Sequence, residues 1–327
     1  MGTRNALIRH VLGIGELNLS QVETILKTAR VFKEILSRPV KKVPTLRGRL
    51  AVNLFFEPST RTRTSFEVAG KMLSADVINF SGSSSSLTKG ETLMDTAKNL
   101  EAMHPDVVVV RSHAAGVPWM LARNLGCAVV NAGDGLHEHP SQALLDALTL
   151  QDAFGSAGEP GSLRGKRIVI VGDITHSRVA GSNLRLLPML GAKVRVVGPP
   201  TMIPLGMRQA FPGIEVSHQL DGAFEDADAV MMLRIQKERI AEPLFPTDRE
   251  YSRLFGLGLA RAERLKKDAV VLHPGPINRG VELDPRVADG PASVILDQVE
   301  NGVAVRMALL YLTAGHDNDP ERLGAES

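Results

Sequence analysis

The chain of 327 residues carries 38 Lys and Arg against 36 Asp and Glu, with 43% apolar and 23% charged residues. That is length for two domains and the composition of a globular protein with a sizeable core. A formal charge of +2 leaves no nucleic-acid footprint, and no apolar run approaches the roughly 20 residues of a membrane span.

Cys127 is the only cysteine, which excludes disulfides within the chain and cysteine-rich zinc sites. The amino-terminal stretch MGTRNALIRHVLGIGELNLS lacks a sustained apolar core before a small-residue cleavage site, so secretion is not expected and a cytoplasmic enzyme is.

In chain order, Val22, Ile25, Leu26, Ala29, Phe32 and Leu36 fall at helical intervals, and Ser20 with Glu23 reads as the capping box of that helix. A β-like run at 50–56 follows, then shorter ones at 76–80, 106–111 and 127–131, separated by helix-length segments. After the Gly-, Ser- and Pro-rich stretch 154–165 a second series begins: 167–171, 193–197, 215–218, 229–233 and 269–272. Such alternation predicts an α/β protein of two domains, each a mostly parallel sheet flanked by helices. The domains should join near the helix after His139, and a last helix near 302–312 is free to return to the first domain.

The stretch FFEPSTRTRTSFE, residues 55–67, is the first that suggests chemistry. A buried strand ends at Phe56, Glu57-Pro58 turns, and Phe66, Ala69, Met72 and Leu73 recur at helical spacing, which puts Ser59, Thr60, Arg61 and Thr62 at a helix amino terminus. Free N–H groups and the helix dipole favour an anion there, and the hydroxyls and Arg61 add donors suited to phosphate. The plainer alternative is an N-cap followed by a solvated basic turn.

Nucleotide motifs fail. Gly161 to Gly165 encloses three residues where a P-loop needs four, and RIVIVGDITHSRVAG lacks the second close glycine of a dinucleotide fold.

In NAGDGLHEHPSQALLDAL, His139 and Gln142 stand three apart at the opening of a helix, so both can face one ligand. His139 as a simple helix cap is the alternative. No HExxH or comparable ligand pair is present, so hydrogen bonding to a substrate is favoured over a metal.

Arg111, Arg178, Arg234 with Gln236, and the segment HPGPINRGVE all follow strand-like runs, where ligands of open α/β sheets bind. Each arginine alone suits a surface salt bridge; together they suggest a cleft for an acid with more than one carboxylate. Asp173 and Glu67 are the candidate internal partners for these cations. Lys89, in the polar loop SGSSSSLTKGETLMDT, reads either as part of a linker or as part of a lid over a ligand.

Six segments in this order, FFEPSTRTRTSFE, LTKGETLMDT, HPSQALLD, GDITHSR, RIQKER and HPGPINRGVE, resemble the catalytic chains of the aspartate carbamoyltransferase family over nearly the whole sequence. The resemblance implies a carbamoyl-phosphate domain at 1–143, completed by a carboxyl-terminal helix within 302–327, and an aspartate domain at 144–301. It implies that Ser59, Thr60, Arg61 and Thr62 bind the phosphate, that Thr62, Arg111 and His139 polarise the carbamoyl carbonyl, and that Gln142 holds the amino group. Arg178, Arg234 and Gln236 would grip the aspartate carboxylates. Ser85 and Lys89 would come from the neighbouring subunit of a homotrimer. Pro274 and Gly275 would supply backbone carbonyls, with a cis bond before Pro276. Neither cofactor nor metal is implied. Some members assemble with regulatory or dihydroorotase-like chains, and no residue of this sequence selects either.

Two positions depart from the family pattern. Val179 stands where many members have threonine, and Gly275 replaces a common leucine. The nearest rival is ornithine carbamoyltransferase, which shares the phosphate motif but typically carries H-C-L-P where this chain has His273-Pro274-Gly275-Pro276. A non-catalytic scaffold of the same fold is the other alternative.

Overall fold

A computed structural model of the chain describes residues 8–81, 92–156, 162–236 and 244–314. It divides into two compact units, Met1–Leu145 with Glu300–Ser327, and Asp146–Val299. Expectations for Ser85 and Lys89, and for 315–327, lie outside the described residues.

The first unit opens with α1 (Leu19–Leu36), whose buried face is Val22, Ile25, Leu26, Ala29 and Phe32, as the spacing requires. The capping box is not Ser20 with Glu23. Asn18 is the N-cap: its Oδ1 accepts Gln21 N–H at 2.9 Å, and Gln21 Oε1 accepts Asn18 N–H at 3.1 Å. Asn18 offers the same three-residue spacing one step earlier, which leaves Ser20 inside the first turn.

The chain then runs through β1 (Leu50–Phe55), α2 (Thr60–Met72), β2 (Asp76–Ser81), α3 (Leu93–Glu101), β3 (Val107–Ser112), α4 (Val117–Asn124), β4 (Ala128–Asp134) and α5 (Pro140–Ala153). The sheet is parallel with order β2-β1-β3-β4. All seven residues of β4 are buried, as are five of the six in β1, the burial expected of parallel strands covered on both faces. On one face Val52, Leu54, Val108, Val110 and Val129 pack with Ala97, Leu100 and Leu121 of α3 and α4.

The second unit contains β5 (Arg167–Val171), α6 (Arg178–Met189), β6 (Lys193–Val197), α7 (Met207–Ala210), β7 (Glu215–Ser217), β8 (Ala229–Met232), α8 (Asp248–Phe255), α9 (Leu259–Ala262), β9 (Val270–Leu272) and α10 (Pro285–Ala288). Its sheet is also parallel, in the order β7-β6-β5-β8-β9. Val169, Val171, Val230, Met232 and Val271 build one core with Phe224, Tyr251 and Phe255. The last helix, α11 (Ile295–Ala314), begins seven residues before the expected 302. The chain passes between the units within α5 and again within α11.

Among the described residues no helix is long and apolar enough to cross a membrane.

Candidate active site

In the first unit the expected residues emerge at the carboxyl ends of three adjacent strands, β1, β3 and β4. Ser59 is the N-cap of α2 with extended backbone (φ −159°, ψ 90°), and its carbonyl accepts the Arg63 N–H. Its side chain does not cap the helix. Asn18, Thr92, Ser177 and Thr247 each spend a side-chain oxygen on the backbone at the starts of α1, α3, α6 and α8. The amino end of α2 thus keeps a hydroxyl beside the N–H groups of its first turn, the arrangement an anion needs. Thr60 and Arg61 are exposed on the first turn, while Thr62 is buried.

Arg111 stands beside this turn because Phe55 pairs with it across β1 and β3, and the Phe56 N–H donates to its carbonyl at 2.8 Å. Its guanidinium is held on two sides, by an ion pair from Nε to Glu57 Oε1 at 2.7 Å and by Nη1 donating to the Ala132 carbonyl at 3.1 Å. The register between β3 and β4 slips here: Val110 faces Asn131 but Ser112 faces Asp134. Such a bulge re-aims a side chain at a strand end.

The loop from β4 to α5 is organised by Asp134, which is fully buried. It accepts from Asn131 Nδ2 at 2.8 Å, from Gly116 N–H at 2.9 Å and from Glu138 N–H at 3.2 Å. Glu138 in turn accepts the Ile14 N–H at 2.8 Å. This sets His139 and Gln142, both buried, at the start of α5. The His139 carbonyl accepts the N–H groups of Gln142 and Ala143, and its Nδ1 lies 3.4 Å from Ser141 Oγ. The roles of Glu57 and Asp134 were missed in the sequence. Their only signal there was an acidic residue placed inside each of two otherwise cationic or Gly-rich turns.

In the second unit Arg178, the Arg234–Gln236 stretch and the HPGP segment follow β5, β8 and β9, three neighbours in the sheet. Arg178 is buried at the first position of α6, whose N-cap Ser177 accepts the Ala180 N–H. Gly172, at the end of β5, has φ +130°, and a Cβ there would meet Leu233 at 3.0 Å. This glycine serves the close approach of two strand ends rather than a dinucleotide turn. Arg234 and Gln236 are half-buried, as are Pro274 and Gly275. The peptide between Gly275 and Pro276 is cis, as the resemblance implies.

The candidate internal partners resolve differently from expectation. Glu67 pairs with Lys71 at 2.6 Å and accepts from Asn79 Nδ2 at 2.8 Å. Hydrogen bonds from Lys71 and then Asn79 hold its pKa below the usual value. Lys71 lies one helical turn along on the same face of α2. Asp173 pairs with His176 Nδ1 at 2.9 Å, and burial raises its pKa against those bonds.

Cys127 sits next to β4, partly buried against the core, and burial with the nearby Glu101 pushes its thiol up to about 11. Among the described residues no group of three His, Cys, Asp or Glu is placed to hold a metal ion.

Each unit gathers cationic and hydrogen-bonding side chains at neighbouring strand ends, which suits an anionic ligand. Residues 9–152 match the carbamoyl-P binding domain of aspartate/ornithine carbamoyltransferase, and residues 164–313 match the Asp/Orn binding domain of that family. The aspartate carbamoyltransferase catalytic subunit of Anaeromyxobacter sp. is 59% identical over 94% of this chain and 95% of its own. That of Desulfosudis oleivorans is 57% identical over 95% of this chain and 97% of its own.

Among solved structures, aspartate transcarbamoylase from Trypanosoma cruzi with carbamoyl phosphate and aspartate superposes with a TM-score of 0.83 at 28% identity, covering 93% of this chain and 96% of that one. Ornithine carbamoyltransferase from Thermus thermophilus gives 0.80 at 28%, covering 94% and 99%. Two domain matches spanning nearly all of the sequence, with relatives above half identity, place this chain in the aspartate/ornithine carbamoyltransferase family.

Proposed function

We propose that the chain is an aspartate carbamoyltransferase, moving the carbamoyl group of carbamoyl phosphate onto the L-aspartate amine to give N-carbamoyl-L-aspartate and phosphate, an early step of pyrimidine biosynthesis. The carrying observation is the α2 amino terminus, whose Ser59 side chain leaves the helix uncapped, beside an Arg111 oriented by Glu57. Fold likeness does not choose the amine, since the aspartate and ornithine enzymes superpose almost equally well. The sequence relatives do: those at 55–59% identity carry the aspartate name, and His273-Pro274-Gly275-Pro276 lacks the cysteine typical of the ornithine enzymes.

In this reading the first unit binds carbamoyl phosphate. Ser59, Thr60, Arg61 and Thr62 take the phosphate; Thr62, Arg111 and His139 take the carbonyl oxygen; Gln142 takes the amino group. In the second unit Arg178, Arg234 and Gln236 hold the aspartate carboxylates, and the carbonyls of Pro274 and Gly275 face its amine. Ser85 and Lys89 reach the site from the adjacent subunit of a cytoplasmic homotrimer.

The unprotonated amine attacks the carbamoyl carbon, and negative charge grows on the oxygen held by Thr62, Arg111 and His139. The C–O bond to phosphate then breaks with its electron pair on the leaving oxygen, and one amine proton is lost. A free α-amino pKa of about 8 makes the reactive form accessible near neutrality. Orienting the two reactants supplies roughly 7–11 kcal/mol in favourable cases, and the fixed donors around the oxyanion supply more.

Steady-state assays with carbamoyl phosphate and either amine test the reading. Aspartate should be the better acceptor by kcat/KM; faster carbamoylation of ornithine would reject the substrate, and turnover of neither would favour a scaffold.

A further inference from the structure

The three segments assigned to aspartate are joined beneath their strand ends by one chain of polar contacts within the second unit. Asn183, on the helix that Arg178 begins, donates Nδ2 to Asp146 Oδ2 at 2.8 Å. Gln298 donates Nε2 to Asp146 Oδ1 at 2.7 Å, and its own Oε1 accepts the His273 N–H at 2.9 Å. The His273 ring carries the chain onward. Its Nδ1 accepts the Gly275 N–H at 2.8 Å, so the ring proton sits on Nε2, 3.1 Å from Glu282 Oε1. That carboxylate oxygen also accepts the Asn278 N–H at 2.6 Å. Asn278 Nδ2 then donates to the carbonyl of Ile235, the residue between Arg234 and Gln236, at 3.0 Å.

Asp146, Asn183 and Glu282 have no exposed surface, and His273 and Gln298 expose 2% and 3%. A buried polar network of this kind is costly when any member lacks its partner, so it enforces a single arrangement of the backbones it touches. Those backbones are the turn at Gly275 and the strand extension at Ile235. A network serving only the fold would have no need to end on the residue between two substrate ligands.

We propose that His273, Glu282 and Asn278 are positioning residues for aspartate. The Nε2–H tautomer of His273 fixes the Gly275 backbone, and Glu282 through Asn278 fixes the backbone that carries Arg234 and Gln236. None of the three touches substrate. The inference rests on the assignment of Arg234, Gln236 and Gly275 to aspartate made above.

Asn278→Ala in the full-length enzyme removes the tie to Ile235 and keeps the backbone bond to Glu282. The KM for aspartate should rise about tenfold, with the KM for carbamoyl phosphate within about twofold of the parent, the fold native by circular dichroism and the melting temperature lower by a few degrees. Glu282→Gln retains an oxygen that accepts from both His273 and Asn278, and should keep aspartate KM within about threefold. Glu282→Leu, similar in size with no acceptor, should raise it by more than about tenfold.

An Asn278→Ala enzyme with unchanged aspartate KM, or with both KM values raised alike, overturns the proposal. It stands on that variant alone if Glu282→Leu does not fold. A parent enzyme that uses ornithine and not aspartate overturns the functional reading itself; an aspartate-using parent whose variants show no selective loss overturns only this one.

Discussion

Arg111 and Glu57 form an ion pair at 2.7 Å with both side chains largely buried, 11% and 13% exposed. The pair ties the end of β3 to the turn that opens α2, so the guanidinium is oriented before any ligand arrives. Preorganised charge of this kind is the main resource of a site that stabilises a developing oxyanion.

Glu57→Gln should therefore lower kcat/KM for carbamoyl phosphate about tenfold, because a neutral amide holds the guanidinium less firmly. Circular dichroism should show a native fold. An enzyme at parental kcat/KM would mean that Arg111 needs no such partner.

Arg61→Ala should reduce turnover by about a thousandfold or more, since a phosphate dianion loses its charge-assisted partner. The proposed trimer adds a sharper form of the test. Arg61→Ala and Lys89→Ala chains, each inactive alone, are dissociated, mixed equally and allowed to reassemble. About three quarters of random cyclic trimers are mixed, and each has one junction where an intact Arg61 meets an intact Lys89, so roughly a quarter of full activity should return. If both residues served one chain's site, mixed trimers confirmed by mass would stay inactive.

Cys127 should be dispensable. With its thiol pushed up to about 11, only about one molecule in ten thousand is a thiolate at neutral pH, far from the reactive range. Cys127→Ser should keep parental kcat and KM, with a fall in melting temperature of a few degrees at most. Loss of turnover at an unchanged fold would return the thiol to the chemistry.

The raised pKa of Asp173 makes a prediction about stability. Because burial raises the folded-state value above 3.8, the folded chain binds this proton more readily than the unfolded chain does. The group's contribution is thus most favourable below 3.8 and is lost as pH rises through the raised folded value. Asp173→Asn removes that titration. Urea midpoints should show the Asn variant gaining on the parent between pH 4 and pH 7. A constant difference across that range would show that the His176 contact cancels the cost of burial.

The strands were legible because parallel strands buried on both faces are continuous apolar runs. β5 and β6 fall where 167–171 and 193–197 put them. The α1 cap was misplaced because Asn18-Gln21 and Ser20-Glu23 both satisfy the same local rule, and only the backbone decides where the helix starts. The Ser59–Thr62 turn could be read locally, since strand, turn and helix are contiguous there. Its neighbours could not. Glu57 meets Arg111 through strand pairing, and Gln298 meets Asp146 across 152 residues. Such contacts leave no periodic trace in a single sequence. Glu67 and Asp173 are the opposite case: their partners Lys71 and His176 stand four and three positions along the chain, a spacing the sequence does display.

The proposed reaction joins a carbamoyl carbon to the nitrogen of aspartate. Incubating the enzyme with 13C-carbamoyl phosphate and 15N-aspartate, and recording the 13C spectrum, tests it in one step. A carbamoyl signal split by one-bond coupling to 15N should appear, growing in step with free phosphate and absent from an Arg61→Ala control. Phosphate release without that coupling, or coupling that appears only when 15N-ornithine replaces aspartate, would contradict the proposed reaction.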